Sequence, residues 1–149
     1  MKKWISLVFV IGIVSFSFMK KKKKSDNGDI VYASNELIAP EVVAQKIINN
    51  EQGMYIFNTG PVDDIKGAIN IGPVEQAKYL DKFKQIVDTL DPTSKVYIYC
   101  GCCPLAVCPN LKPAYALLQA KGFAEYKVIQ MVQGIEEDWI SKGYPTVGY

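Results

Sequence analysis

The chain has 149 residues, of which 49% are hydrophobic, so it is long enough for one domain with a buried core and too short for two ordinary domains. Its formal charge of +2 hides an uneven distribution: seven lysines and no acid lie in the first 24 residues, leaving 10 basic against 15 acidic residues, a net −5, in the remainder. This acidic body argues against nucleic acid as a partner, and the absence of histidine excludes imidazole catalysis and His-ligated metals.

The N-terminus is predicted to be a signal peptide or membrane anchor over residues 1–19. Lys2 and Lys3 precede an uncharged apolar run, Trp4–Met19, whose 16 residues fit the core of a signal peptide better than a full membrane span. Residues 20–34 begin with a block of lysines and are predicted to be a solvated linker. We therefore expect an exported, periplasmic protein, or one tethered to a membrane through residues 4–19.

Residues 35–149 alternate short apolar strands with helices of about ten residues. In chain order we predict a helix from Pro40, strands Met54–Phe57 and Ala68–Ile71, a helix over 75–90, a strand Lys95–Tyr99, a helix from Asn110 to Gly122, a strand Lys127–Val132 and a short helix Ile135–Ser141. This alternation predicts a three-layer α/β domain, in which helices flank a central, mainly parallel sheet of about five strands. Trp139 is predicted to anchor the last helix in the core.

All four cysteines lie within nine residues, Cys100 to Cys108, directly after the strand Lys95–Tyr99. In open parallel sheets the ligand site lies beyond the carboxyl ends of the strands, which is where this loop is expected. A thiol between a strand end and a helix N-terminus is near unpaired backbone N–H groups and the positive end of the helix dipole. We therefore expect a lowered pKa for Cys100 and a thiolate that is nucleophilic without a histidine partner.

Several segments carry a family resemblance. They are Ile65–Ile71, Val96-Tyr-Ile-Tyr-Cys100, Leu117–Phe123, Val128-Ile129, Gly134, Trp139 and Gly143-Tyr144-Pro145. With these segments in this order, the chain from Glu36 to Tyr149 resembles the rhodanese family of sulfurtransferases. The resemblance implies a rhodanese-like domain in which Cys100 carries the transferred sulfur as a persulfide and the following loop supplies a cradle of backbone N–H groups.

The chain departs from the family pattern in three places: two positions upstream and the cysteine loop itself. Asn58-Thr59-Gly60 stands where family members usually have Asp-x-Arg, and Asp64 stands where they have histidine. The cysteine loop is longer than usual and lacks the customary arginine. Pro104 and Pro109 each remove an N–H from the expected cradle. These differences leave the predicted fold in place and argue against ordinary thiosulfate chemistry.

Three functions are compatible with the cysteines. In the first, Cys100 carries sulfur between a small donor and a thiol acceptor, or undergoes thiol redox chemistry, with Cys102, Cys103 and Cys108 as resolving thiols and no cofactor required. In the second, Cys102, Cys103 and Cys108 hold a soft metal ion such as Cu(I) or Zn(II). In the third, Cys108 forms a disulfide with Cys102 or Cys103, which leaves a catalytically silent binding domain.

Overall fold

The structure, a computed structural model, describes residues 32–62 and 65–148. The predicted leader over residues 1–19 and most of the predicted linker over residues 20–34 lie outside the described residues, so export and tethering stay predictions. Within the two described ranges, no helix combines the length and apolar character that a membrane span needs. Tyr32, inside the predicted linker, packs against the ring of Tyr115 at a centroid distance of 5.3 Å.

A five-stranded sheet forms the centre of the domain. Its strands are β1 (Leu37–Ile38), β2 (Met54–Asn58), β3 (Ala68–Asn70), β4 (Lys95–Tyr99) and β5 (Glu125–Ile129). The spatial order is β1-β5-β4-β2-β3, and each neighbouring pair is parallel. β4 is therefore the middle strand, and its four residues from Val96 to Tyr99 are completely buried because both faces of the sheet are covered.

Three α-helices and one π-helical turn cover the two faces. α1 spans Pro40–Ile48, α2 spans Ala77–Val87, α3 spans Leu111–Lys121, and the π-helical turn spans Glu136–Ile140. One apolar cluster joins α2 and α3 to the sheet, and a second joins α1 and the π-helical turn to its other face. The predicted three-layer α/β architecture with a parallel sheet of five strands is confirmed.

Local sequence signals explain where the helices begin and end. Proline occupies the first turn of α1, where its missing N–H costs no hydrogen bond. Gly122 ends α3 in the left-handed conformation, with φ of 73°, which glycine adopts without steric cost. Trp139 is fully buried as predicted, and its Nε1 donates to the carbonyl oxygen of Pro145 at 3.0 Å.

The structure differs from the sequence prediction at three elements. β1 was not predicted, because two residues carry no periodic pattern. β5 begins and ends earlier than the predicted strand Lys127–Val132, because its pairing starts at Glu125, opposite Lys95 of β4, and ends at Ile129, opposite Ile38 of β1. The predicted helix Ile135–Ser141 is the π-helical turn, whose start is closed by Asp138: its Oδ2 accepts hydrogen bonds from the amides of Gln133 and Gly134 at 2.6 and 3.2 Å.

Candidate functional site

The cysteine loop lies between the end of the central strand and the start of α3. Cys100 directly follows β4, a short 3-10 turn covers Leu105–Val107, and Cys108 comes three residues before α3 begins at Leu111. The predicted position at the carboxyl edge of the sheet is confirmed.

The fold brings all four cysteines together. Their Sγ atoms lie within 4.8 Å of one another, and all four are free thiols. The Sγ atoms of Cys100 and Cys102 are 3.0 Å apart, and those of Cys102 and Cys103 are 3.4 Å apart. We call this group the thiol cluster. It contains Cys100 in addition to the three cysteines predicted as metal ligands.

The members of the thiol cluster differ in burial. Cys100 and Cys108 are buried, with 1% and 0% of their surface exposed. Cys103 is half-buried and Cys102 is exposed. The thiol that faces solvent is therefore Cys102, whose sulfur lies 3.0 Å from that of the buried Cys100.

Two residues that sequence reasoning did not assign to the site border Cys100. Asn110, only 2% exposed, donates from Nδ2 to the sulfur of Cys100 at 3.4 Å and reaches that of Cys102 at 3.9 Å. Its Oδ1 accepts from the amide of Glu75 at 3.1 Å, which fixes the side chain. Gly60 approaches so closely that a Cβ on it would lie 2.6 Å from the Cys100 sulfur.

The sequence offered a partial signal for both residues. Asn110 precedes α3 at a position typical of a helix cap, but its side chain makes no cap hydrogen bond to the helix and turns to the thiols instead. Gly60 ends the segment that replaces the family's Asp-x-Arg. No sequence pattern shows that a glycine after one strand packs against a cysteine that follows another strand.

The Asn58-Thr59-Gly60 segment builds the end of β2. Asn58 Oδ1 accepts from the amide of Gly60 at 2.9 Å, and its Nδ2 donates to the carbonyl oxygen of Val62 at 2.7 Å. The Thr59 hydroxyl donates to the carbonyl oxygen of Tyr99 at 2.8 Å. These side chains hold the turn that places Gly60 against Cys100. Asp64, at the position of the family's histidine, lies outside the described residues.

The environment of the thiol cluster disfavours charge on its sulfurs when all four are reduced. The neighbouring Cys108 thiol and then burial raise the pKa of Cys100 far above its ordinary value, and they outweigh hydrogen bonds from Cys102 that lower it. Burial and then the Cys102 thiol raise the pKa of Cys103 to about 11. Burial is also the main cause of a raised pKa at Cys102. The predicted lowering of the Cys100 pKa is therefore wrong for the fully reduced loop.

The physical reason is crowding. Sequence reasoning considered one sulfur near the N-terminus of a helix, whereas the structure packs four sulfurs together at that place. Each thiol is then surrounded partly by other thiols, which are weak hydrogen-bond donors and poor substitutes for water. A second negative charge in so small a volume is opposed by the first. A negative charge on the sulfur of Cys100, Cys102 or Cys103 is therefore less favourable than on a solvated thiol.

Comparisons with known proteins bear on the fold. No model of a known protein family matches the chain, and no curated protein sequence matches it. Solved structures do match. The crystal structure of the Alr3790 protein from Anabaena is 20% identical, covers 74% of this chain and 91% of that chain, and gives a TM-score of 0.56.

Two further structures agree with this match. The solution structure of the rhodanese-like domain from the same Anabaena protein is 19% identical, covers 76% of this chain and 80% of that chain, and gives a TM-score of 0.56. The BH2092 protein from Bacillus halodurans is 17% identical over 74% of each chain, with a TM-score of 0.57. Together with the parallel sheet, these similarities show that the described part of the chain has the fold of a rhodanese-like domain.

Proposed function

We propose that this protein accepts sulfane sulfur from a small donor and holds it as a persulfide on Cys100. The observation that carries the proposal is the gathering of four free thiols within 4.8 Å at the carboxyl end of the central strand of a rhodanese-like fold. Core packing does not require four sulfurs at one loop. Cysteines grouped this way provide both a nucleophile and neighbouring thiols that react with its products.

The chemistry is sulfur exchange without net oxidation. The Cys100 thiolate attacks the outer sulfur of a persulfide or polysulfide donor, so that an S–S bond forms on Cys100 while the S–S bond of the donor breaks. The donor leaves as a thiolate and takes up the proton that Cys100 lost. Nδ2 of Asn110 and the backbone amide of Cys102 donate hydrogen bonds to the Cys100 sulfur, and both stabilise the anion during this step.

Access to Cys100 depends on Cys102. The Cys102 side chain is exposed and its sulfur lies 3.0 Å from that of Cys100. We infer that rotation of this side chain gives a donor access to Cys100, and such rotations take picoseconds to nanoseconds at exposed positions. A donor of low molecular weight fits this route.

The composition favours a persulfide or polysulfide over thiosulfate as the donor. All 17 basic residues of the chain are lysines, so it contains no arginine. Arginine binds an oxyanion such as thiosulfate through two parallel hydrogen bonds from its planar guanidinium group, and lysine cannot do so. Pro104 and Pro109 also remove two backbone N–H groups from the loop. A donor that presents only sulfur needs neither feature.

Mass spectrometry of a thiol variant tests the proposal. Cys102→Ser protein, which keeps Cys100 and lacks the exposed thiol 3.0 Å from it, is reduced, mixed with glutathione persulfide and mapped by peptide mass. The expected result is a gain of one sulfur atom on Cys100, absent from the Cys100→Ser/Cys102→Ser protein. Sulfur uptake at the other cysteines with none at Cys100 contradicts the proposal.

The same geometry favours a second candidate, the binding of one soft metal ion. Four thiolates around Zn²⁺ at about 2.3 Å stand roughly 3.8 Å apart, close to the separations in the thiol cluster. Titration of reduced protein with Zn²⁺ in competition with a chromogenic chelator tests metal binding. If the thiol cluster is a metal site, the titration gives one tightly bound ion per chain for wild type and none for Cys108→Ser.

A further inference from the structure

We propose that the sulfur accepted on Cys100 leaves as hydrosulfide when Cys102 attacks the same residue and forms a Cys100–Cys102 disulfide. This inference rests on the proposed function, since it describes the fate of the Cys100 persulfide. It makes the site a reductase of sulfane sulfur that is regenerated by an external dithiol. The evidence is the geometry of the segment Cys100-Gly101-Cys102.

The first observation is the short distance between the two sulfurs. The Sγ atoms of Cys100 and Cys102 are 3.0 Å apart, and these are the atoms that a disulfide joins, at a bond length of about 2.0 Å. Transfer of the outer sulfur to Cys102 uses a different atom, which lies beyond Sγ of Cys100. The structure therefore aligns Cys102 with the inner sulfur of a Cys100 persulfide.

Gly101 produces this arrangement. Its φ of +70° folds the chain back on itself, so that the side chains on either side of it meet. A Cβ at Gly101 would lie 2.8 Å from Cβ of Ile135, and the Gly101 carbonyl oxygen accepts a hydrogen bond from the Ile135 amide at 3.0 Å. The hydrogen bond from Ile135 fixes the backbone of the turn independently of the thiols, and the lack of a side chain at Gly101 lets Ile135 approach.

The second observation is a hydrogen-bond donor shared by both sulfurs. Asn110 Nδ2 lies 3.4 Å from the Cys100 sulfur and 3.9 Å from the Cys102 sulfur. An amide held between the two stabilises negative charge on either one, which is what a thiolate exchange between them requires.

The proposed step balances in atoms and electrons. The Cys102 thiolate forms a bond to Sγ of Cys100 while the bond from that Sγ to the outer sulfur breaks, and the outer sulfur leaves as HS⁻. The sulfane sulfur gains two electrons, and the two cysteines together lose two. Hydrosulfide is a weaker base than a cysteine thiolate, so it is the better leaving group. A dithiol then attacks the disulfide and restores both thiols.

Exposure distinguishes Cys102 from the other possible partners. Cys108 is fully buried, so a Cys100–Cys108 disulfide presents no sulfur to an external reductant. Cys103 is half-buried and so less accessible than Cys102, from which its Sγ lies 3.4 Å away. A Cys100–Cys102 disulfide keeps one exposed sulfur at which an external dithiol begins its attack.

The test follows sulfide release and protein mass together. Fully reduced wild-type protein, freed of excess reductant, is mixed with one equivalent of glutathione persulfide. We expect one sulfide released per chain, a mass loss of two hydrogens, and a peptide map linking Cys100 to Cys102. Cys102→Ser is expected to retain the added sulfur and to release sulfide at least about a hundredfold more slowly, because the intramolecular nucleophile is gone. Val107→Ser, which introduces the same residue at an exposed position of the same loop, is expected to behave as wild type.

The outcomes separate the two proposals. If wild-type protein keeps the added sulfur as stably as Cys102→Ser does, or if the disulfide joins Cys100 to Cys108, the inference is overturned and the proposed function stands. If neither protein takes up sulfur at Cys100, both are overturned.

Discussion

Gly60 offers a way to perturb Cys100 without altering a thiol. A Cβ at this position would lie 2.6 Å from the Cys100 sulfur and 2.7 Å from its carbonyl oxygen, closer than real Cβ atoms approach either atom. Unlike the other described glycines, Gly60 does not have a positive φ, so Gly60→Ala introduces the overlap without backbone strain. Overpacking of a buried site by one methyl group costs about 1–3 kcal/mol.

The assay is urea unfolding in a double-mutant cycle with Cys100→Ala. Replacing Cys100 by alanine removes the sulfur and leaves the carbonyl oxygen, so the penalty of Gly60→Ala is expected to fall by about 1 kcal/mol in that background. Gly53→Ala is the control: its Cβ meets nothing within 4 Å, and its cost, which comes from a φ of +76°, is expected to be the same in both backgrounds. An identical Gly60→Ala penalty with and without the Cys100 sulfur refutes the close contact between these residues.

Three further predictions concern the residues that support the site. Asn110→Ala in the Cys102→Ser protein is expected to slow persulfide uptake at Cys100 about tenfold or more, since it removes a hydrogen bond that stabilises the attacking thiolate and so lowers the ionised fraction of Cys100; unchanged stopped-flow kinetics contradict this. Trp139→Ala is expected to lower the free energy of unfolding by about 3–5 kcal/mol, whereas exposed Val147→Ala changes it by less than about 0.5 kcal/mol. Asp138→Ala is expected to cost about 1–3 kcal/mol by leaving two backbone amides without their acceptor, and equal denaturation midpoints for the variant and wild type argue against that role.

The central strand shows why much of the fold was predictable. Val96 to Tyr99 are β-branched and aromatic without interruption, a pattern typical of a strand buried on both faces, and β4 occupies the predicted residues. Because the cysteines directly follow this strand, its prediction also placed them at the carboxyl edge of the sheet, where the ligand sites of parallel sheets lie. The convergence of the thiols at that edge followed from topology.

Features that depend on contacts between distant segments were not predictable in this way. β1 is only two residues long, and its pairing with Val128 and Ile129 determines its structure. The burial and raised pKa of Cys100 depend on the turn at Gly101, on Cys108, and on the approach of Gly60 from another strand. From the sequence we could infer that a helix dipole would lower the pKa of Cys100. The sequence does not show that three other thiols crowd around it.

The cysteines also stand on both sides of the connection between β4 and α3. Cys100 follows the strand and Cys108 precedes the helix. A disulfide or a shared metal ion between their sulfurs therefore closes a loop of about nine residues. The lower conformational entropy of the cross-linked unfolded chain stabilises the folded state by about 2–3 kcal/mol. For a domain of this size that corresponds to an increase of roughly 5–15 °C in melting temperature. The melting temperature of the protein thus reports whether Cys100 and Cys108 are linked. A thermal-shift measurement distinguishes cells or buffers in which the loop is cross-linked from those in which it is open.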